Sequence, residues 1–399
     1  MARIESLLSA RLCLVPQVVG DRLFFMSNLS GQLSLYAMDV GGSVPEPLLP
    51  PHIALQNPHL MNGASFVVFP SLGSVLVMID SNGDEAYKPM LVPIDGGFPE
   101  PAFPGKFDGD AVHCVDYDLE HALVYLLAES QSEAMHTAYR CDLSTGEVTK
   151  LAESVYGAFP VGVNESHDKV VVIDAYGAGD HVAYLKEDGS DELRLLYGVP
   201  LGLRKVDEKV PPNNLSDFSF VRDDSGLLFF TSLFSDTYGL GYMGLADSSS
   251  PMEVAVEGAV HAGAGELVDI THTHDDLYLM NYNIDGCTWL YEARFDEAAL
   301  TMKLEHVLCG TGELSDGVLE SVRHDRPGDR YALSFSTATS PTQIYIIEGA
   351  SRDRVRRQTR ERVLGIASDM LSPGEDASFT SFDSLRVSAR LYLPPESLG

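Results

Sequence analysis

Two serine-containing segments come closest to the G-x-S-x-G signature of hydrolases, in which a nucleophilic serine lies on a sharp strand-to-helix turn. The segment GELSDG (312–317) has one residue too many around Ser315, and GASRD (349–353) lacks the last glycine after Ser351. Neither segment lies between a strand pattern and a helix pattern. The sequence therefore predicts no serine nucleophile, and no other catalytic residue, in this chain.

The segment GLGYMG (239–244) matches the G-x-G-x-x-G pattern of dinucleotide-binding sites. In such a site a strand precedes the glycines and a helix follows them, so that the helix N-terminus faces the pyrophosphate. Here the glycines are followed by LADSSSPMEV, which does not favour a helix. We therefore interpret Gly239, Gly241 and Gly244 as part of a strand, and we predict no nucleotide or other cofactor.

His272 and His274 form the one H-x-H pattern, within THTHDD. On a regular strand both side chains would face the same side, which is a geometry that can bind a metal ion. The pattern lies, however, in a polar turn between two apolar strands. This strand–turn–strand unit recurs along the chain, and its other copies also carry Asp, Asn or His in the turn. The sequence favours a hydrogen-bonded turn here, and we predict no metal site.

The segment SRDRVRRQTRERVLG (351–365) is the one basic run of the chain. It contains six arginines: Arg352, Arg354, Arg356, Arg357, Arg360 and Arg362. One interpretation is a solvated face of a helix or loop. The other is a surface that docks an acidic partner, such as another domain.

The whole chain is strongly acidic, with 58 Asp and Glu against 27 Lys and Arg and a formal charge of −31. This charge disfavours binding to nucleic acid or to an anionic membrane surface. The five cysteines are widely spaced and form no C-x-x-C, so we predict neither a disulfide framework nor a zinc site. The sequence has no apolar run long enough to cross a bilayer and no unbroken apolar segment near its N-terminus, which favours the cytoplasm.

A short apolar strand, a polar turn and a second apolar strand recur along the chain. Clear copies are CVDYDLEHALVYLL (114–127), VGVNESHDKVVVID (161–174) and FSFVRDDSGLLFFT (218–231). A third strand, usually containing an aromatic residue, follows each copy. The anchors of these third strands recur at a mean spacing of about 51 residues, close to the length of a propeller blade. They are Tyr36, Val92, Tyr139, Tyr184, Tyr242, Tyr291 and Tyr345.

Because a fourth, outer strand follows most copies, the sequence predicts an all-β, seven-bladed β-propeller of four-stranded antiparallel blades. The alternative is a pair of β-sandwiches, which the regular period disfavours. We place the propeller at residues 1–366. Residues 367–399 then form a linker and a short C-terminal β extension.

Two segments resemble a known family. The first is IDSNGDEAYKPMLVPIDGG (79–97), and the second runs from Phe379-Thr-Ser-Phe-Asp-Ser-Leu-Arg-Val to Leu391-Tyr-Leu-Pro-Pro. Both are similar to passages of the prolyl oligopeptidase family of serine peptidases, especially its acylaminoacyl-peptidase-like branch. The matching blade positions of the first segment are Asp80, Gly83, Glu85, Tyr87, Asp95, Gly96 and Gly97.

In that family a stretch like S-x-D-G-x-x-I followed by LYLP leads from the propeller into an α/β-hydrolase domain, and Ser384 stands where the glycine is usual. The resemblance implies that residues 367–399 include the first hairpin of such a domain, whose nucleophile, acid and histidine lie outside this chain. The chain alone would then be catalytically silent. It would gate the access of peptides and dock the hydrolase domain, in the same gene or as a separate chain. The docking residues would be the six arginines together with Phe382 and Asp383.

Two other functions stay open at the level of sequence. A propeller can act alone as a binding protein or interaction scaffold, since fold does not determine function. It can also be a metal-dependent enzyme such as a lactonase, which would hold a cation in its channel with Asp, Glu, Asn or His side chains.

Overall fold

The computed structural model describes residues 4–59, 63–81, 83–207, 209–221, 223–246 and 250–394. In this part of the chain the regular structure is almost entirely antiparallel β-sheet. The α-helical structure is the single turn α1 (Ile4–Leu7), and short 3-10 turns lie at Pro70–Leu72, Leu201–Leu203, Gly312–Leu314 and Ser368–Met370.

The first two sheets are built from consecutive strands. The first sheet, in the order β1-β2-β3-β4, consists of β1 (Leu14–Val19), β2 (Arg22–Ser27), β3 (Ser34–Asp39) and β4 (Glu46–Pro47). The second consists of β5 (Ala54–Leu55), β6 (Phe66–Phe69), β7 (Ser74–Asp80), β8 (Lys88–Pro93) and β9 (Glu100–Pro101). Because β5 and β6 pair with opposite ends of β7, together they take the place of one first strand.

The next two sheets are four-stranded meanders with their strands in chain order. One consists of β10 (Asp110–Asp118), β11 (Leu123–Ser130), β12 (His136–Asp142) and β13 (Val148–Ser154). The other consists of β14 (Phe159–Val163), β15 (Lys169–Gly177), β16 (Asp180–Glu187) and β17 (Leu193–Tyr197).

An eight-stranded sheet follows, made of two four-stranded meanders. The first is β18 (Ser216–Val221), β19 (Gly226–Thr231), β20 (Gly239–Gly244) and β21 (Met252–Glu257). The second is β22 (Gly265–His274), β23 (Leu277–Ile284), β24 (Cys287–Asp296) and β25 (Thr301–Cys309). Their outer strands β21 and β25 pair in parallel and join the two meanders.

The last meander is β26 (Gly317–Asp325), β27 (Arg330–Thr337), β28 (Ser340–Glu348) and β29 (Arg354–Arg357). The arginine-rich segment therefore supplies an outer strand, whereas the sequence suggested a helix or loop. Pairing explains the difference, because the backbone of β29 completes its hydrogen bonds against β28. After it come two nested hairpin pairs, β30 (Glu375–Asp376) with β33 (Arg390–Leu391) and β31 (Phe379–Thr380) with β32 (Arg386–Val387).

The hydrophobic core lies between the faces of neighbouring sheets. A buried cluster joins each meander to the next along the chain. Phe24 and Phe66 belong to one such cluster, and Tyr125 and Val172 belong to another. The last meander packs on the first, where Phe25 and Ile344 belong to one buried cluster. The sheets therefore close into a ring, and the fold is a β-propeller.

A β-bulge recurs in the first strand of most meanders, at the centre of the ring. The register against the second strand shifts at Leu14/Gln17, Cys114/Asp116, Pro160/Gly162, Ser216/Ser219, Leu267/Asp269 and Leu319/Ser321. Because an extra residue in one strand redirects side chains and increases the local twist, these bulges decide which residues point into the channel.

No helix in the described ranges is both long and apolar enough to span a membrane. The predicted boundary between residues 366 and 367 stays a prediction. The final residues of the predicted extension, 395–399, lie outside the described residues.

Candidate functional site

The first strands of four neighbouring meanders surround a cavity of about 1600 Å³. These strands are β10, β14, β18 and β22, and the turns that follow them form the rim of the cavity. The cavity is larger than ordinary small-molecule pockets, which measure roughly 300–1,000 Å³. It is the central channel of the propeller, so the side chains of the first strands determine what it can hold.

Three aspartates on bulged first strands lie in or beside this cavity. Burial raises the pKa of Asp217 to about 7, and the nearby charge of Asp269 contributes. Burial also raises the pKa of Asp269, although Asn281 Nδ2 donates a hydrogen bond to its carboxylate at 2.8 Å. Asp116 is exposed to the cavity, yet the surrounding protein still raises its pKa to about 6. Close to neutral pH Asp217 and Asp116 can therefore change charge with small changes in their surroundings.

Arg323 of β26 reaches toward the first strands of other meanders. Its Nη1 donates to Gln17 Oε1 at 2.7 Å, and its Nη2 donates to the Phe66 carbonyl oxygen at 2.9 Å. The guanidinium carbon lies 5.1 Å from the ring centroid of Phe66 and 5.6 Å from that of Tyr117. One cationic side chain thus connects the first strands of three other meanders, with cation–π contacts adding to the hydrogen bonds.

Asp118, His121 and His167 form a compact group on the rim, between the β10–β13 and β14–β17 meanders. His167 Nε2 lies 3.1 Å from Asp118 Oδ2, and His121 Nδ1 lies 3.3 Å from Asp118 Oδ1. Although burial opposes the change, hydrogen bonds from His167 and His121 hold the pKa of Asp118 well below its usual value. Within the described ranges, this is the one group of three or more Asp, Glu, His or Cys residues whose potential ligand atoms all lie within 4.8 Å of one another.

The next junction along the rim, between the β14–β17 and β18–β21 meanders, is built differently. There Lys169 Nζ lies 2.6 Å from Asp224 Oδ2, and Asn164 Nδ2 donates to the same oxygen at 2.7 Å. The ammonium group of Lys169 therefore neutralises the Asp224 carboxylate at this junction. At the junction between the β10–β13 and β14–β17 meanders, two imidazoles face Asp118 instead.

Residues 79–97, the first of the two segments that resemble the family, form a turn and a contact between two sheets. Asp80 Oδ1 accepts the N–H of Gly83 at 3.0 Å, and Glu85 adopts a left-handed backbone with φ 55°. The ring of Tyr87 is buried and meets His113 edge to face, with the centroids 5.5 Å apart. These contacts give Asp80, Glu85 and Tyr87 structural roles.

The Gly-Gly turn at the end of this segment connects the second sheet to the first through hydrogen bonds. Gly97 N–H donates to the Leu48 carbonyl oxygen at 3.0 Å, and Asp95 Oδ1 accepts a hydrogen bond from Arg22 Nη1 at 2.7 Å. Gly96 has a φ of 91°, and a Cβ there would lie 2.9 Å from the same oxygen of Leu48. Glycine is therefore required at position 96 by both conformation and space.

Arg352 is buried and faces inward, so this residue is not available for docking and the prediction is wrong at this position. Its Nε donates to Glu292 Oε2 at 2.9 Å, and its Nη2 donates to Asp329 Oδ1 at 2.8 Å. Tyr331 donates its hydroxyl to the same oxygen of Glu292. The cause is the turn before β29, which directs the side chain between the last two meanders instead of into solvent.

The other predicted docking residues are exposed. They are Arg354, Arg356, Arg357, Arg360, Arg362, Phe382 and Asp383. The side chain of Phe382 is fully exposed, which is unusual for an aromatic residue in a packed domain. Docking through these residues stays a prediction.

The other sequence patterns have structural roles. A bulge between His272 and His274 interrupts the strand alternation, so His272 Nε2 donates to the Asp275 carbonyl oxygen at 3.0 Å while His274 stacks on His324. The segment 239–244 is β20, as predicted, in the middle of a meander. Ser315 donates its hydroxyl to the Gly312 carbonyl oxygen at 2.9 Å within an irregular connection.

The sequence analysis did not identify the group of Asp118, His121 and His167. A signal was present, because Asp118 and His167 are separated by 49 residues, close to one repeat. Residues one repeat apart occupy corresponding turns of neighbouring meanders, which lie side by side on the rim. The pattern Asp-x-x-His at 118–121 then places a second imidazole in the same turn.

No protein-family model and no curated protein matches the chain. Solved structures do match it. A puromycin hydrolase superposes with a TM-score of 0.72 at 14% identity, over 99% of this chain and 61% of that protein. A puromycin-hydrolyzing peptidase of Mycobacterium tuberculosis gives 0.68 at 14% identity, over 95% of this chain and 58% of that one. A structure from a study of two prolyl endopeptidases gives 0.65 at 14% identity, over 95% of this chain and 54% of that one.

These matches confirm, at the level of fold, the resemblance to the prolyl oligopeptidase family that the sequence indicated. The chain spans a little over half the length of the solved proteins that it matches. At this low identity the likeness establishes the propeller fold and nothing about activity.

Proposed function

We propose that this chain is the non-catalytic, seven-bladed propeller portion of a prolyl-oligopeptidase-like serine peptidase. The observation that carries the proposal is the extent of the structural match, which includes 95–99% of this chain but 54–61% of each neighbour. The neighbours are named as peptidases or hydrolases, and the remainder of each lies outside the match.

The number of blades, seven, depends on how the sheets are divided into four-stranded units. If the eight-stranded sheet counts as two blades joined by their outer strands, and β5 with β6 counts as one first strand, the chain forms seven four-stranded units. This division agrees with the spacing of the aromatic anchors along the sequence.

Gating of peptides is supported by the central cavity. It is large enough for a peptide segment, and the carboxyl groups of Asp116 and Asp217 on its wall would attract a positively charged group when ionised. Arg323 connects β26 to the first strands of other meanders through its hydrogen bonds to Gln17 and Phe66.

Docking of a hydrolase domain is supported by the C-terminal hairpins. They expose apolar side chains next to the propeller, among them Phe379 at 57%, Phe382 at 101% and Tyr392 at 56%. An apolar surface of this kind is typical of a protein–protein contact. The hairpins contact the turn between β23 and β24 through Asp285, so a domain docked on them would lie on that face of the propeller.

The proposal is tested by assaying peptide hydrolysis with the chain alone and with an α/β-hydrolase domain supplied in the same polypeptide or as a separate chain. We expect no turnover from the chain alone and turnover that a serine-directed inhibitor abolishes when the domain is present. Replacing Phe382 with Ser should then weaken assembly, while Val44→Ser, at another strongly exposed apolar side chain outside the hairpins, should not. Inhibitor-sensitive turnover by the chain alone would refute the proposal.

The alternative of a stand-alone binding propeller is favoured by the same cavity. It predicts that the chain binds a ligand without any hydrolase domain. Failure of every candidate hydrolase domain to bind, together with saturable binding of a ligand in the channel, would support this alternative instead.

A further inference from the structure

The group of Asp118, His121 and His167 has the geometry of a metal site. The contacts between the carboxylate and the two imidazoles measure 3.1 and 3.3 Å. When two atoms each lie 2.0–2.1 Å from a tetrahedral zinc ion, their separation is about 3.3 Å. The two contacts go to different oxygens of Asp118, and the potential ligand atoms of the three side chains all lie within 4.8 Å of one another, so small side-chain rotations would let one ion reach all three.

A neighbouring hydroxyl orients one of the imidazoles. Tyr125 OH lies 2.9 Å from His167 Nδ1, and Tyr125 itself is buried in β11. This contact leaves Nε2 of His167 directed at Asp118. Metal-binding histidines usually have such a partner on the nitrogen that does not bind the metal, because it fixes the ring and its tautomer.

The backbone of both turns is also fixed. The N–H of His121 donates to Asp118 Oδ1 at 2.6 Å, which holds the first turn. Arg140 Nη1 donates to the His167 carbonyl oxygen and pairs with Asp188 at 3.0 Å, which holds the second. Binding would thus need little reorganisation.

The donor set indicates the class of ion. Two imidazole nitrogens and one carboxylate oxygen suit Zn²⁺ and its neighbours in the transition series, whereas Ca²⁺ and Mg²⁺ prefer oxygen ligands. Exposure of the side chains falls from 53% at His121 to 29% at Asp118 and 12% at His167, so the site is open to solvent on one side. An ion can enter there, and a fourth ligand position is free for water.

An ordinary His–Asp ion pair does not explain the arrangement fully. A pair needs one imidazole, but here two converge on the same carboxylate with their rings 5.1 Å apart. At the next junction of the rim the corresponding carboxylate, Asp224, already has a cation in Lys169. An ion at Asp118 would play the same part between the β10–β13 and β14–β17 meanders.

We propose that Asp118, His121 and His167 bind one divalent transition-metal ion, with Zn²⁺ the preferred ion, which clamps two neighbouring blades together. The site lies on the turns between first and second strands. In an up-and-down meander these turns are at the opposite end from the turn between second and third strands, which carries Asp285 and the C-terminal hairpins. The ion therefore acts on the face of the propeller away from the C-terminal hairpins, and this inference does not depend on the proposed peptidase function.

The test uses tag-free protein that has been treated with a chelator and then titrated with Zn²⁺ in a calorimeter. We expect one ion per chain and a melting temperature that rises as Zn²⁺ saturates the site, because the ion binds the folded state. His121→Ala should weaken binding at least tenfold and remove the thermal shift. His121 is exposed and its backbone contact is retained in the variant, so folding should be preserved.

Two further variants sharpen the test. Asp118→Asn should also weaken binding, while His52→Ala, at an exposed histidine outside the group, should leave both affinity and thermal shift unchanged. Absence of saturable one-to-one binding, binding that His121→Ala does not weaken, or a preference for Mg²⁺ over Zn²⁺ would each overturn the proposal. Co²⁺ titration with absorption spectroscopy gives a separate readout, because tetrahedral nitrogen and oxygen coordination is visible directly.

Discussion

The side-chain amide of Gln17 pairs with both backbone polar groups of Val68, across the junction of the first two sheets. Gln17 Nε2 donates to the Val68 carbonyl oxygen at 3.1 Å, and Val68 N–H donates to Gln17 Oε1 at 2.9 Å. The amide therefore acts as a backbone unit would in a sheet ladder, and it joins strands that belong to different blades. Oε1 also accepts from Arg323, so the contact extends to the last meander.

Gln17→Leu should destabilise the fold strongly, although leucine is similar in size to glutamine. It leaves two buried backbone groups of Val68 without partners, at roughly 1–3 kcal/mol each. Urea unfolding measures the loss. Gln131→Leu is the control, because Gln131 is exposed and donates its backbone N–H to the Gly109 carbonyl oxygen, a contact that the substitution keeps. Equal stability of the Gln17→Leu and wild-type proteins would contradict the role of this amide.

Arg352→Met should cost roughly 3–5 kcal/mol of stability, since it leaves the Glu292 carboxylate buried without its charge partner. The two side chains are 7% and 4% exposed, so water cannot replace the lost contact. Arg356→Met is the matched control from the same arginine run. Its guanidinium is 49% exposed and pairs with Glu348 at the surface, so its loss should cost about 0–1 kcal/mol. Equal effects of the two variants would mean that Arg352 is not buried as described.

The third strands show what the sequence could predict. The aromatic anchors and Val92 all lie on third strands, namely β3, β8, β12, β16, β20, β24 and β28. Strand alternation and turn residues are local signals, so the amino-acid sequence alone is enough to reveal the repeat. The direction of Arg352, in contrast, depends on Glu292, which is 60 positions away in the chain, and no local pattern contains that information.

The positions of side chains on the rim and in the channel were also not predictable from local sequence patterns. Asp217 points to the cavity because a bulge at Ser216/Ser219 redirects it, and a bulge leaves no distinct mark in the sequence. The convergence of Asp118 with His167 depends on the way that neighbouring blades bring corresponding turns together. That proximity is a property of the closed ring, so the separation of about one repeat could have indicated this site, whereas the local pattern around either residue could not.

Gly241→Ala should destabilise the protein by roughly 1–3 kcal/mol through overpacking. A Cβ at this position would lie 2.5 Å from the ring of Phe229 on the paired strand β19. Gly239→Ala, two residues earlier on the same strand, meets no atom within 4 Å and should be neutral or slightly stabilising. Thermal melts of the two variants test this difference, and a loss of stability in Gly239→Ala would favour a role for these glycines other than packing.

Asp217→Asn should change how stability depends on pH. Burial raises the pKa of Asp217 to about 7 from 3.8, so between about pH 4 and 7 the folded state holds a proton that the unfolded state has released. Asp217 therefore contributes a loss of stability as pH rises through this window, and this contribution is absent from the variant, which cannot ionise at this position. Urea midpoints at pH 4.5 and 7.5 should show that the variant gains on the wild type at the higher pH.

Asp180→Asn is the control, because the pKa of Asp180 is shifted in the opposite direction from that of Asp217. Hydrogen bonds from Arg204 at 2.7 Å hold the pKa of Asp180 below its usual value, so its contribution is present above about pH 4 and is lost on acidification. Since that contribution is already present at pH 4.5, this variant should be less stable than the wild type by a similar amount at pH 4.5 and at pH 7.5. If Asp180→Asn gained on the wild type at the higher pH as Asp217→Asn does, burial would not be the cause of the behaviour of Asp217.

Arg386→Gln should loosen the C-terminal hairpins without unfolding the propeller. The guanidinium of Arg386 pairs with Asp285, with Nη2 2.9 Å from Oδ2, and Ser388 donates to the same carboxylate at 2.6 Å. Because the pair is partly exposed, its removal should speed amide hydrogen exchange across residues 375–391 by about two- to fivefold, while the first strands of the blades are unaffected. Arg362→Gln, an exposed arginine outside the hairpins, is the control. If exchange in the hairpins did not change, the hairpins would be held by their own pairing and not by Asp285, and their orientation on this face would need another cause.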